Sequence, residues 1–230
     1  MTQKVKAKLA AGEPVVMVNV NYPAPGLVEQ IGRLGFDIAF IDCEKGSASF
    51  ERVEEMCRAA RAAGIAAVVR PWSNEPGLIS RYLDLGADGI MAAAIEDEAA
   101  ATALVEAVRY ARYADFERKL VIAMIESPQA AARLPALLPV EGIAVWFVGP
   151  NDFAHRMGHP GGGARPDVRA AVDRTLRDIV AGGRRAGTLA TRDTIASLAG
   201  SGVQLLMTRV NDMLAQGAAD LRAALEKGTP

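Results

Sequence analysis

A chain of 230 residues, half of them hydrophobic, is long enough to bury the core of one large domain without disulfides or structural metals. A net charge of −1 excludes a basic surface for nucleic acid or an anionic bilayer, and aromatic residues at 5% offer no base-stacking platform. The expected partners are small molecules, with no nucleic acid and no membrane, since no run approaches the ~18 apolar residues of a membrane span.

The N-terminal MTQKVKAKLAAGEP is basic but lacks the apolar stretch of a secretory signal. Cys43 and Cys57 lack metal-ligand spacing and are expected to be reduced thiols of a soluble, cytoplasmic protein. In chain order, the short apolar runs VVMVNV from Val15, DIAFI from Asp37, IAAVVR from Ile65 and GIMAA from Gly89 are predicted strands. LVIAMIE from Leu120, IAVWFVG from Ile143, GTLAT from Gly187 and VQLLMT from Val203 complete a set of eight. They are apolar throughout rather than alternating, as suits strands of a parallel sheet buried on both faces.

Longer amphipathic segments separate them. SFERVEEMCRAARAAG places Phe50, Val53, Met56, Cys57 and Ala60 at helical spacing and ends on Gly64. EPGLISRYLDLG, DEAAATALVEAVRYA, SPQAAARLPALL, PDVRAAVDRTLRDIVAGG, RDTIASLAG and NDMLAQGAADLRAALEKG follow the same style. Eight such units predict an α/β fold, a TIM (β/α)8 barrel in one domain over 1–230, such barrels typically having about 250 residues. An open doubly wound sheet is the runner-up, disfavoured because no glycine fingerprint follows the first strand. HPGGGARPD, from His159, has neither the Lys-Ser/Thr ending nor the GxGxxG of a phosphate cradle and is expected to be a loop after the sixth strand.

Charged residues gather at the C-terminal ends of these strands, the end where a barrel carries its active site. The stretch FDIAFIDCEKGS delivers Asp42, Glu44 and Lys45; the third strand ends in Arg70, the fifth in Glu126, and the sixth in GPND with Asp152. Two carboxylates behind strong apolar strands, Glu126 and Asp152, make a site for a hard divalent cation, Mg2+ or Mn2+ rather than Zn2+. The competing reading makes Glu126 the cap of the helix starting at Ser127-Pro128 and Asp152 the cap of a turn. Arg70 is either an ion-pair partner of Asp42 or Glu44, or a fixed fork for an enolate or carboxylate. Asp84, near the end of the helix after the third strand, is by itself a surface carboxylate. His155 and His159 are expected to be solvated loop residues, and Trp72 and Trp146 packing residues.

Together these motifs resemble the HpcH/HpaI aldolase family, metal-dependent pyruvate aldolases related to the citrate lyase beta subunit and to the phosphoenolpyruvate/pyruvate barrels. The resemblance runs from KAKLAAGEP through GFDIAFIDCEKG, VVRPWSNEPGLISRYLDLGADGI, MIESPQAAARL and VGPNDFAHRMG to VNDMLAQGAADL. It implies a carbon–carbon lyase acting on small oxo acids and aldehydes through a pyruvate enolate. Glu126 and Asp152 would hold Mg2+, Mn2+ or Co2+, and the GPND turn, Gly149, Pro150, Asn151 and Asp152, would bind the substrate carboxylate through its amides. Arg70 would face the keto oxygen, with Asp42 a supporting or substrate-side acid. It also implies a homo-oligomer, a hexamer built as a trimer of dimers, in which the C-terminal helix, about 211–227, is exchanged between neighbours.

Two departures qualify the resemblance. Lys45 stands where the family pattern has the histidine of a base dyad, while its partner position Asp84 is kept. A lysine with an ordinary pKa of about 10.4 serves as base only when burial or a positive neighbour depresses it. The passage RYARYADFERKLVIAM also lacks the longer glycine- and arginine-rich loop of the family. The alternatives are therefore an acyl-CoA lyase of citrate-lyase type, a Schiff-base aldolase with Lys45 as nucleophile, and a diverged barrel that only binds.

Overall fold

The computed structural model describes residues 1–227, so 228–230 of the expected domain lie outside the described residues. Eight strands occur in chain order: β1 (Val15–Asn19), β2 (Ile38–Asp42), β3 (Ala66–Arg70), β4 (Gly89–Ala92), β5 (Leu120–Ile125), β6 (Val145–Val148), β7 (Ala186–Leu189) and β8 (Leu205–Arg209). Each pairs parallel with the next and β8 returns to β1, closing a TIM-type barrel as predicted. The outer layer is α2 (Pro25–Arg33), α3 (Phe50–Ala62), α4 (Pro76–Asp84), α5 (Glu98–Ala111), α6 (Pro128–Ala132), α7 (Leu134–Leu137), α8 (Pro150–Arg156), α9 (Pro166–Ala181), α10 (Ile195–Gly200) and α11 (Val210–Lys227); α1 (Thr2–Ala10) precedes β1.

Local chemistry sets where the helices begin. Proline at the first turn starts α2, α4, α6, α8 and α9, where the missing N–H costs nothing. Side-chain caps from Ser49, Asp97 and Ser127 accept the N–H of the third residue of α3, α5 and α6, Arg52, Ala100 and Ala130. The segment SPQAAARLPALL is two short helices rather than one.

The strands pack two cores. One fills the space between sheet and helices; the other fills the barrel, with Met17, Phe40, Val68, Ile122, Phe147 and Leu205 all at 1% exposure or less. Each such side chain stabilises the fold by roughly 1.5–3 kcal/mol on burial. Helix α1 closes the N-terminal end, sending Val5 and Leu9 into the interior cluster. Lys8 holds it through Asp37 at 2.8 Å, and Thr2 through Asp88 at 3.1 Å. Both carboxylates also accept backbone N–H groups at strand entries, Asp37 from Val16 and Asp88 from Ala67.

Glycine 89 opens β4 because nothing larger fits: a Cβ there would lie 2.4 Å from the Leu120 carbonyl oxygen of β5. That neighbour is backbone and cannot swing away. Gly89→Ala is expected to cost about 1–3 kcal/mol or more in urea unfolding, and an unchanged midpoint would contradict the β4–β5 register.

Candidate active site

Strand alternation builds the site. In β1, β2, β3, β5, β6 and β8 the interior residues are every second one, ending in the deep layer at Met17, Phe40, Val68, Met124, Phe147 and Met207. Two residues further on, the same parity aims Asn19, Asp42, Arg70, Glu126, Gly149 and Arg209 into the C-terminal mouth. All six line one cavity of about 190 Å3, together with Lys45, Asn151 and Asp152.

Arg70 is the fixed cation of this layer. It lies opposite Asp42 in the β2–β3 register and grips it with two bonds, Nε to Oδ1 at 2.9 Å and Nη2 to Oδ2 at 2.6 Å. Its third nitrogen meets Glu44 at 2.7 Å. Burial works against the charge, but the hydrogen bonds and charges of Asp42 and Glu44 more than offset it, so the guanidinium pKa lies above its ordinary value. The ion-pair reading of Arg70 is thus realised with both expected acids, and the same pairing locks the fork in place beside Glu126.

The turn after β2 is held by the same carboxylate. Asp42 Oδ1 accepts the N–H groups of Glu44 at 3.1 Å and Lys45 at 3.3 Å. Gly46 completes the turn, since a Cβ there would collide with the Asp42 carbonyl oxygen. This directs Lys45 across the mouth, where Nζ lies 3.0 and 3.2 Å from the two oxygens of Asp152.

Glu126 is 6% exposed and accepts the Ala94 N–H at 2.8 Å. Ala94 takes a positive φ of 54°, a conformation that costs a non-glycine residue of order 1 kcal/mol, to present that N–H. Burial pushes the Glu126 carboxyl up to about 7; the Ala94 N–H opposes the rise and the Asp152 charge adds to it. Glu126 is not the cap of α6: Ser127 accepts the Ala130 N–H at 3.0 Å and donates to Glu96 at 2.6 Å. Gly149 is required beside it, because a Cβ would lie 2.8 Å from Glu126 Oε1.

Asp152 sits in the first turn of α8, a helix in place of the expected turn. The N–H groups of Asn151 and Asp152 precede the first α8 bond, from Phe153 N to Gly149 O at 3.0 Å. A second cavity of about 290 Å3 shares Glu126 and Asp152 and extends outward past Glu44, Glu96, His155 and Arg156. His159 lies farther along the loop, 3.2 Å from Asp167.

The donor set fits a hard divalent cation. Among the described residues no group of three or more His, Cys, Asp and Glu side chains is arranged to hold a metal. A cation here would rest on Glu126 and Asp152 and take its remaining ligands from water and substrate, which is how Mg2+ binds, and not how Zn2+ does. Of the four carboxylates here, Asp42 and Glu44 pair with Arg70 and Asp152 with Lys45, while Arg209, the third cation of the mouth, is paired with Asp212. Among the described residues Glu126 has no cationic side chain within 4.0 Å.

Other expected residues lie elsewhere. Asp84 ends α4, at the N-terminal end of the barrel, and pairs with Arg112 at 2.7 Å; it does not line the mouth of its own chain. The short connection from α5 to β5 is at that same end, away from the mouth. Cys43 and Cys57 are buried free thiols, Cys57 pushed up to about 12 by burial. Trp146 is buried, while Trp72 is 56% exposed and packs beside Phe50 with ring centroids 5.6 Å apart. Asn19 and Arg209, Cα partners in the β1–β8 register, are mouth residues that the strand reading did not single out. The parity of VVMVN and LLMTR marks both.

Among the described residues no helix is long and apolar enough to cross a membrane. The sequence model of the HpcH/HpaI aldolase/citrate lyase family matches residues 16–226. A pyruvate aldolase of Rhizobium etli is 31% identical, the alignment covering 84% of each chain. A 4-hydroxy-2-oxo-heptane-1,7-dioate aldolase of Escherichia coli is 28% identical over 85% of this chain and 84% of its own. The crystal structure of the citrate synthase SbnG superposes with a TM-score of 0.87 at 26% identity, covering 97% of this chain and 98% of that one. With the barrel, its mouth and these likenesses in agreement, the chain belongs to the HpcH/HpaI aldolase/citrate lyase family and is an enzyme of the lyase class.

Proposed function

We propose that this chain is a divalent-metal-dependent aldolase that cleaves or forms 4-hydroxy-2-oxo acids through a pyruvate enolate. The observation that carries the reading is the convergence of Glu126, Asp152 and the locked Arg70 on one small cavity at the barrel mouth. The names of the Rhizobium etli and Escherichia coli relatives support the substrate class. Mg2+ or Mn2+, held by Glu126 and Asp152, would supply the Lewis acidity that makes the methyl group of pyruvate acidic.

The chain's own residues do the rest. Arg70, fixed by Asp42 and Glu44, offers positive charge where the keto oxygen becomes negative, and its charge needs no reorganisation during reaction. The first-turn amides of Asn151 and Asp152 suit a carboxylate at the start of α8. Phe40, Phe147, Leu189 and Met207 floor the cavity and exclude water from beneath it. The outer cavity past Glu44 and His155 gives room for an aldehyde. The contact with Asp152 at 3.0 Å supports Lys45 as a charge partner of that carboxylate in place of a base or nucleophile. The likeness to a citrate synthase supports a second reading, the same enolate chemistry with an acyl-CoA thioester in place of pyruvate, and titration with acetyl-CoA discriminates: binding at millimolar concentration favours it.

The assignment of Lys45 has a measurable consequence. Its ammonium occupies the oxygens a cation would use, so Lys45→Met is expected to tighten Mn2+ binding about tenfold in calorimetry; equal or weaker affinity would reverse the assignment.

Burial of Glu126 predicts a pH signature in the metal-free protein. Its folded pKa of about 7 lies above the ordinary 4.5, so the native state holds the proton more tightly than the unfolded chain. Stability from this group is complete below pH 4.5 and is lost as pH rises to 7, on the order of 3 kcal/mol in all. Glu126→Gln is therefore expected to melt near the wild-type temperature at pH 5 and above it at pH 8.

The central test is exchange of pyruvate methyl protons with deuterium in Mg2+ or Mn2+. Wild-type protein is expected to exchange them, with a loss of at least about a hundredfold in Glu126→Gln. Absence of exchange at every pH up to about 9, with bound metal demonstrated, would overturn the proposal.

A further inference from the structure

A cavity of about 530 Å3, larger than either cavity at the mouth, is at the opposite end of the barrel. It lies between α1, the end of α5 and the residues that lead into β5, β6 and β7, with Leu9, Phe116 and Ile143 as its apolar wall. Its size is that of a small-molecule site. Five cations face it, Lys6, Arg109, Lys119, Arg184 and Arg185, against two carboxylates, Glu117 and Glu141. That is an excess of three positive charges on a chain whose net charge is −1.

Three of these cations are held in place by groups that leave their charges unmatched. Lys6 Nζ donates to the Glu117 carbonyl oxygen at 2.6 Å, and Arg185 Nε to the Leu9 carbonyl oxygen at 3.2 Å. Arg109 stacks on the Phe116 ring at 4.2 Å. Only Lys119 has an acid, Asp115 at 3.5 Å; among the described residues no carboxylate lies within 4.0 Å of Lys6, Arg109, Arg184 or Arg185. Burial lowers the Lys6 pKa, Arg185 beside it lowers it further, and Glu117 only partly opposes them. Carbonyl oxygens and a ring face orient the cationic heads without neutralising them. Guanidinium groups so oriented recognise carboxylate and phosphate oxygens in pairs.

We propose that this cavity is a second binding site, for a small multivalent oxyanion carrying carboxylate or phosphate groups, separate from the site of reaction. Its occupant would join α1 to the entries of β5–β7. Calorimetry on the full, metal-free chain with citrate in one arm and pyrophosphate in the other, each at matched ionic strength, tests it and separates the two chemistries. At least one is expected to bind 1:1 with Kd below about 1 mM. Lys6→Gln and Arg184→Gln are each expected to weaken it about tenfold, the loss of one charge-assisted contact. Glu126→Gln, at the other end of the barrel, is expected to leave Kd unchanged. Arg184 lies in the connection from α9 to β7, outside α1, so its variant keeps the test decisive even where Lys6→Gln loosens α1. No binding in either arm, binding indifferent to Arg184→Gln, or binding altered by Glu126→Gln would overturn the proposal.

Discussion

Everything at the mouth depends on strand parity in a closed barrel. Side chains alternate between interior and exterior with a period of two, and closure leaves no edge at which a strand could shift alone. The deep interior layer of Phe40, Val68, Met124, Phe147 and Met207 therefore determines which residue of each strand reaches the mouth. A slip of one residue in β3 would put Val69 at the mouth and turn Arg70 toward the helices, away from Asp42 and Glu44. The apolar core is in this sense the positioning device for the charges.

The charges in turn form a graded set. Arg70 is bound in both directions by Asp42 and Glu44 and has little freedom left. Lys45 and Asp152, about half-exposed, form a contact that water can compete for. Glu126, buried with one backbone N–H as its partner, has the least compensation and the most to gain from a cation. Rigid acid–base pairing thus surrounds one under-satisfied carboxylate, which suits the divalent ion proposed for this site.

Much of this was legible in the amino-acid sequence, for physical reasons. Strands of a parallel barrel are buried on both faces, so all eight appear as apolar runs, and the charges at their C-terminal ends mark the mouth. What escaped was set by contacts distant in sequence. Nothing local in DCEKGS reveals that Lys45 would meet Asp152, 107 positions later. Asn19 lies inside the run VVMVNV and Arg209 one place beyond VQLLMT, and both were passed over as a lone polar residue and a strand's edge, although their parity matches that of Arg70. Helix α1 carries only Val5 and Leu9 on its inner side, too sparse a pattern to stand out. Asp84 carries a family role in sequence pattern while its place in this chain, at the far end of α4, is visible only in three dimensions.

Gly149 shows how thin the boundary is between a barrel that reacts and one that merely folds. It lies in the layer above Phe147, after the last residue of β6, and contributes no side chain to either core. A single added methyl there would press on Glu126 Oε1 at 2.8 Å and come within 3.3 Å of Met124 Cε in the layer below. The place of the one buried carboxylate at the mouth is thus set as much by a side chain that is missing as by those that are present.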